Sequence, residues 1–497
     1  MSIITATADK PPHRRAAASV PARRAGAVRR RAAALLITTG LVHAGLAMPL
    51  AAQEDTPDLA DRVAALEATL AKILARLEDQ DAKLSVQEIQ IVEQASRLVQ
   101  TEQKVEETEE RVIQVANSTP FIQERPEEAG GFQMGDTNVQ IHGYVKLDTI
   151  FSNFSDGVLG SSNIGRDFYI PGLVPVAAED IDSDWVNDFN PRETRLLIDT
   201  DTPIGDHKVS TRIELDFQVT GGGDERISNS FVPRMRQAYI RFDDWLLGQA
   251  WSTFQDVSAL PDNLDFIGPT EGTVFERQPM IRYTKGPWEL ALEQAETTVT
   301  TRDGGRILSG SDPVPDAVVR YTSRGDWGHV RLAGILRNLN IEENMVMGAA
   351  EDSALAYGLT LSGKLKVGRK GSDFRFMGTV GEGLGRYVGL NLVNSAGLRD
   401  DGTLDPITSY SGFASYRHMW EEKWRSNLTF GYFKADNPVR LTTMGVTDES
   451  WSVHANLIYS LASRLDVGVE YTISERTLEN GLSGSLNRVQ FSTKFSF

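Results

Sequence analysis

Ten basic side chains, Arg195, Arg212, Arg234, Arg236, Arg282, Arg320, Arg337, Arg375, Arg488 and Lys494, fall on one face of segments whose residues alternate in polarity. Asp199, Glu214, Asp216, Glu293 and Glu470 share that face, so cations outnumber acids on it although the whole chain has a formal net charge of −17. Guanidinium groups grip carboxylates through a bidentate fork, and several of them around a confined passage make a field that draws anions in. The competing reading is that each arginine is neutralised by a neighbouring carboxylate and only lines water. Asp262, Asp265, Glu271 and Glu276 lie between two such segments, either facing the basic wall or belonging to a solvated loop. Other chemistry is weakly signalled. There is no cysteine, which excludes disulfides, thiolate metal sites and a cysteine nucleophile. His142, His207, His329, His418 and His454 show no ligand spacing. Asp180-x-Asp182-x-Asp184 is followed by Trp185 and Pro191 where an EF-hand needs Gly and Glu. Gly381-x-Gly383-x-Gly385 ends a strand with no helix after it, and Arg324-Gly325-Asp326 fits a tight turn. Neither G-x-S-x-G nor H-E-x-x-H occurs, so no enzyme, metal or cofactor is expected.

The elements that must position these residues are β-strands. From Val139 to Phe497 the hydrophobic period is two. In the last run Val489, Phe491, Thr493, Phe495 and Phe497 oppose Arg488, Gln490, Ser492, Lys494 and Ser496. In 206–219, Val209, Ile213, Leu215, Phe217 and Val219 oppose Lys208, Ser210, Arg212, Glu214, Asp216 and Gln218. About sixteen such runs alternate strictly between tight and long links, the wiring of outer-membrane barrels. Tight links fall at Pro203–Gly205, Asp243-Asp244, Gly286, Arg324-Gly325, Gly368–Gly371, Trp420–Glu422 and Leu461-Ala462; the third long link is 255–276. Tyr144, Trp288, Trp420, Trp424, Trp451 and Tyr459 lie near strand ends, where aromatic girdles belong. An apolar outside around a charged inside suits lipid around a wet lumen, and the low mean hydropathy of −0.28 does not oppose it.

Upstream, arginines at 14–15, 23–24 and 29–31 precede an apolar run from Ala32 to Leu50 and small residues at Ala51-Ala52. This pattern predicts a signal peptide over 1–52. Over 55–116 apolar residues repeat in heptads. Val63, Leu70, Leu77, Leu84, Ile91, Leu98, Val105 and Val112 hold one core position, while Gln80, Gln87, Gln94, Thr101 and Thr108 enter the other. That is a coiled coil, a rod of roughly 85 Å at 1.5 Å per residue. Residues 117–138, with Pro120, Pro126 and Gly130-Gly131, read as a linker. The expected fold class is an all-β transmembrane barrel of about sixteen antiparallel strands over 139–497, preceded by an α-helical coiled coil.

Three short motifs narrow this further. The barrel opens on Gly143-Tyr144-Val145-Lys146-Leu147-Asp148, carries Arg236-Gln237-Ala238-Tyr239, and continues with Gly248-Gln249-Ala250-Trp251-Ser252-Thr253-Phe254 into the third long loop. With the coiled coil and the terminal Phe497, the chain resembles the DcaP-like trimeric outer-membrane porins. The resemblance implies a homotrimer of barrels in outer-membrane lipid and lipopolysaccharide, with the third loop folded inward. It also implies passage of small anionic solutes such as dicarboxylates, and recognition of Phe497 by the barrel-assembly machinery. The placement of loop carboxylates opposite Arg234, Arg236, Arg282 and Arg320 is similar to the transverse field of general porins. No nucleic-acid partner is expected. A phosphate-type specific channel is the alternative, disfavoured because arginine outnumbers lysine on the basic face. A second alternative is a tether in which the coiled coil, lying in the periplasm, holds peptidoglycan. Under the tether reading, deleting 55–116 leaves conductance intact and reduces retention on peptidoglycan sacculi; unaffected retention rejects it.

Overall fold

The computed structural model describes residues 131–497 except 162, 180, 182, 219–228, 311 and 344–348. The signal peptide expected over 1–52, the coiled coil over 55–116 and the linker up to residue 130 lie outside the described residues, as do Asp180 and Asp182. Eighteen strands share one sheet, two of them short riders, Phe132–Met134 and Val186–Asn190. The remaining sixteen form a closed antiparallel ring. They are β1 Thr137–Phe154, β2 Arg195–Ile204, β3 His207–Asp216, β4 Arg234–Phe242 and β5 Trp245–Trp251. Next come β6 Arg277–Lys285, β7 Trp288–Glu293, β8 Asp316–Gly325, β9 Gly328–Ile341, β10 Asp352–Lys366 and β11 Asp373–Glu382. The ring ends with β12 Thr408–Met419, β13 Trp424–Asp436, β14 Thr447–Ala462, β15 Leu465–Leu478 and β16 Ser483–Ser496.

Closure is made by the first and last strands, in register from Tyr144 opposite Ser496 to Phe154 opposite Leu486. The terminal residue completes the ladder: Phe497 N donates to Gly143 O at 3.0 Å and Gly143 N to Phe497 O at 3.1 Å. At Gly143 the neighbouring backbone comes so close that a Cβ there would sit 2.1 Å from Arg195 O, so only glycine fits. Beyond that point β1 leaves β2 and pairs instead with Val186–Asn190.

Burial is inverted relative to a water-soluble barrel. On β10, Leu355, Tyr357, Leu359 and Leu361 are exposed, whereas Ala356, Thr360 and Ser362 are buried. Leu355 is 68% exposed while Arg488 and Glu214 are 0% exposed, so the apolar band faces outward and charge faces inward. An apolar girdle of this extent needs lipid, and a closed ring leaves no strand edge unsatisfied within it. Cross-strand aromatic pairs cluster towards the short-turn end: Trp245 with Tyr283, Trp288 with Tyr321, and Trp424 with Tyr459, at centroid separations of 4.8, 4.8 and 4.5 Å. Tyr144 is not part of this girdle. Its parity with Lys146 turns it inward, where its hydroxyl donates to Glu193 Oε1 at 3.2 Å.

The structure departs from the sequence expectation mainly in the long links. The run expected over 287–298 stops at Glu293, and the chain then enters a separate four-stranded sheet made of Thr298–Thr300, Arg306–Leu308, Ala396–Leu398 and Leu404–Pro406. Three-residue strands are too short to show a period. Two turns also shift by one or two residues. Gly325 pairs with Gly328, which places the turn at Asp326-Trp327, and Arg464 turns with a φ of 66°.

Candidate functional site

The loop after β5 determines what the interior can do. Residues 251–275 are buried but for the half-buried Val257. Phe168, Trp251, Leu260, Phe266, Ile267 and Phe275 form an apolar cluster within and beside it. Asp256 caps its first helical turn, Val257–Ala259, by accepting from Ser258 N at 3.1 Å. The loop then crosses the interior to the opposite wall. Glu470 on β15 accepts from Leu264 N at 2.6 Å, Asp265 N at 3.3 Å and Asn263 Nδ2 at 3.4 Å. Leu264 O in turn accepts from Lys146 Nζ at 2.7 Å and Gln490 Nε2 at 2.9 Å. These charge-assisted bonds hold the tip from both sides; removing one partner from a buried charged contact costs roughly 3–5 kcal/mol.

The returning turn, Thr270–Gly272, rests on a seat of glycines. A Cβ on Gly272 would lie 2.2 Å from Gly412 O, and one on Gly431 would lie 2.3 Å from Glu271 Oε1. Backbone therefore packs on backbone between Gly272 and Gly412, while the Glu271 carboxylate lies directly on Gly431. Glu271 itself accepts from Ser452 Oγ at 2.5 Å.

All ten basic residues singled out in the sequence project into the ring, and nearly all are clamped. Arg212 forks onto Asp199 at 2.7 Å through both nitrogens, and Arg234 forks onto Asp216 at 2.9 Å. Arg236 joins Glu214 and Asp216, each at 2.7 Å, and Arg195 reaches Glu214 at 3.2 Å. Arg320 binds Glu289 and the carbonyls of Thr253 and Gln255 at 3.2 and 2.8 Å. Arg282 donates to Thr253 Oγ1 at 2.8 Å and to Trp251 O, with Glu289 at 3.9 Å. Arg337 holds Asp316 together with Gly383 O and Leu384 O, and Arg375 holds Asp373 together with Leu260 O. Arg488 donates to Ser152 Oγ at 2.9 Å and Gly165 O at 2.6 Å, with Asp265 at 3.7 Å. Lys494 lies 4.1 Å over the Tyr144 ring. The wall arginines thus fasten the third loop as well as contributing charge.

The four loop carboxylates do not meet the arginines expected opposite them. Because the loop crosses the interior, Asp262, Asp265 and Glu271 reach the far wall. Asp262 pairs with Arg425 at 2.9 Å and Arg417 at 3.7 Å, and Asp265 accepts from Tyr169 N at 2.8 Å and lies near Arg488. Glu276 stays near the root, accepting from Arg277 N at 3.2 Å. Burial pushes Asp265, Glu271 and Glu276 above the usual carboxylate range; Arg488, Ser452 and Arg386 respectively counter it only in part. Asp256 is the reverse case. Burial raises it too, but Arg331 and His329 hold it well below the usual range.

Sequence reasoning did not single out Arg331, Lys364, Arg417 and Arg425, which join Arg282, Arg320 and Arg375 on the inner wall of β6 to β13. Their carboxylate partners are Glu289, Asp256, Asp262, Asp373 and Asp466. Inward parity was visible for Arg417 and Arg425; their place beside strand ends made them resemble turn residues. Among the described residues no cluster of three or more His, Cys, Asp or Glu is placed to hold a metal ion.

Widening the seat residue tests whether the loop contact narrows the interior. Gly431→Leu is expected to displace Glu271, raise single-channel conductance and add current noise. Gly378→Leu, where a side chain meets nothing within 4 Å, should leave both unchanged. Equal behaviour of the two variants rejects the seat.

The family model for the DcaP outer membrane protein matches residues 68–497. No curated protein sequence matches the chain. The fold is similar to the crystal structure of the outer membrane channel DcaP of Acinetobacter baumannii. That match has a TM-score of 0.62 at 23% identity and covers 74% of this chain and 100% of that one. Lower similarity links it to an anion-selective porin from Comamonas acidovorans, with TM-score 0.46, 11% identity, and 73% and 100% coverage. The outer-membrane protein OmpT of Vibrio cholerae, in its outer-membrane-expressed form, gives TM-score 0.43, 11% identity, and 74% and 100% coverage. With the family match running over most of its length and a closed sixteen-stranded ring beneath it, the chain belongs to the DcaP outer membrane protein family.

Proposed function

We propose that the chain is an outer-membrane porin through which small hydrophilic solutes diffuse passively, with a preference for anions such as dicarboxylates. The observation that carries this reading is the excess of cations on the inner wall of β6 to β13. There Arg282, Arg320, Arg331, Arg337, Lys364, Arg375, Arg417 and Arg425 outnumber Glu289, Glu293, Asp316 and Asp373 of the same strands, and Asp256 and Asp262 of the third loop offset only part of that excess. Paired charges act at a distance as dipoles, so the unbalanced remainder sets the sign of the field in the passage. The crossing loop narrows that passage and brings a solute close to the wall. The working unit is taken to be a homotrimer, with Phe497 as the signal to the barrel-assembly machinery.

Replacing Arg236 and Arg282 together by Ala is expected to lower anion-over-cation permeability by on the order of twofold to tenfold. Zero-current potentials across planar bilayers in a KCl gradient measure it, and an unchanged potential sinks the assignment.

Acidity gives an independent check. Asp265, Glu271 and Glu276 have raised values, so on acidification they lose their charge before ordinary carboxylates do, while the arginines keep theirs. The lumen then becomes more positive, and anion preference should rise as pH falls towards the carboxylate range. A preference that stays flat or falls between pH values of roughly 7 and 5 contradicts this.

A further inference from the structure

A single line of buried hydrogen bonds on the wall grips the third loop at two points. Glu470 on β15 holds the tip, accepting from Leu264 N at 2.6 Å and Asp265 N at 3.3 Å, and Asn456 Nδ2 donates to it at 3.0 Å. A side chain that accepts so many N–H donors is an ionised carboxylate. From Glu470 Oε1 the line runs 3.3 Å to His454 Nδ1, and from His454 Nε2 it runs 3.2 Å to Ser452 Oγ, both on β14. Ser452 Oγ donates at 2.5 Å to Glu271 Oε1 in the returning turn of the loop. All four side chains are buried, and His454 is 0% exposed.

Ser452 has a single hydroxyl hydrogen, and Glu271 takes it. His454 then needs a hydrogen on Nε2 to meet Ser452 Oγ and another on Nδ1 to meet the Glu470 carboxylate. The line is complete with an imidazolium, or with a protonated Glu271 and the Ser452 hydroxyl turned towards Nε2. Both arrangements hold the same proton. Without it, either neutral tautomer sets lone pair against lone pair, at Glu470 or at Ser452. Thr472 Oγ1, 2.9 Å from Nδ1, can donate to a bare Nδ1 but does not make Glu470 its partner.

The charged groups around the line do not take the proton's place. Asp265 faces it from the loop tip, with Arg488 of β16 at 3.7 Å. Tyr169 of the first long loop sets its ring 5.8 Å from that of His454, and its hydroxyl lies 3.4 Å from Ser450 Oγ. On β13 the neighbour is the glycine seat, Gly431. Glu271 Oε2 is buried and accepts no hydrogen bond among the described residues. Burial pushes the Glu271 carboxyl above the usual range, and Ser452 and His454 counter it only in part.

We infer that Glu271, Ser452, His454 and Glu470 form a proton-operated latch, which seats the third loop while it holds its proton and loosens the loop when the proton leaves. This rests on the porin reading, since the loop's position is felt only where solutes pass. Seating brings the Glu271 carboxylate onto the line, so the seated loop binds the proton more tightly than the released one. By linkage, the seated state is favoured as pH falls and is lost as pH rises through the latch's own value.

The test reads single-channel currents of the full-length protein in planar bilayers from roughly pH 5 to pH 9, a range that brackets an imidazole. In the parent, the ratio of time at the higher conductance level to time at the lower should rise with pH. The rise is expected to be up to about tenfold per pH unit, the limit for one proton. Glu271→Gln supplies amide hydrogens in place of the proton and should hold the lower level throughout. His454→Gln removes the titrating ring and should flatten the profile. His207→Gln, at the exposed start of β3, should titrate as the parent does. Heat-modifiable migration on gels verifies that each variant forms the barrel. A parent ratio that stays flat or falls with rising pH overturns the latch, and so does a Glu271→Gln or His454→Gln variant that titrates as the parent does. A parent that passes no current at any pH overturns the porin reading instead, so the two failures are separable.

Discussion

Every other feature of this barrel depends on the ladder between β1 and β16, where Phe497 and Gly143 exchange two backbone hydrogen bonds. In lipid an unpaired N–H or carbonyl has no water to turn to, so the ring must close completely. Closure fixes which residues face outward, because side-chain direction alternates with period two and a one-residue slip would reverse it. The exposed Leu355, Tyr357, Leu359 and Leu361, and the buried arginines behind them, are consequences of that single register.

Putting charge inside a ring creates a second constraint. An arginine buried against a neighbouring strand needs a counter-charge or carbonyl acceptors. Wall carboxylates supply part of this, as with Arg212 and Asp199. The rest comes from the crossing loop. Thr253 O, Gln255 O and Leu260 O accept from Arg320 and Arg375, while Asp256 and Asp262 meet Arg331 and Arg425. The loop is ordered by the wall, and the wall is neutralised in part by the loop. Anything that shifts one is felt by the other, which couples the width of the passage to its charge.

This coupling explains what could and could not be read from the sequence. Strand number, the segregation of tight and long links, and the inward parity of all ten basic residues follow from period-two patterning, a local signal. Pairing across the interior is not local. Asp262 and Arg425 are 163 residues apart, and parity states only that each faces inward, not at which point around the ring it sits. The expectation that the loop acids face Arg234, Arg236, Arg282 and Arg320 placed them near the strands that flank the loop, whereas the loop carries Asp262, Asp265 and Glu271 across. Short elements escaped for a different reason. Thr298–Thr300 and Ala396–Leu398 pair in parallel over two residues, which leaves no periodic trace.

The preponderance of arginine over lysine has a structural cause that precedes any role in selectivity. Arg337 satisfies Asp316 and, through its other nitrogens, the carbonyls of Gly383, Leu384 and Glu296. Arg320 does the same with Glu289, Thr253 and Gln255. A guanidinium offers five donors in a planar fork and can bind a carboxylate and several carbonyls at once; an ammonium presents three around a point. A loop held mainly by its backbone oxygens therefore calls for arginine whatever passes beside it. Counting arginines is accordingly a poor measure of anion preference in this barrel. The informative quantity is the cations left over once every clamp is subtracted, on the wall that the crossing loop meets.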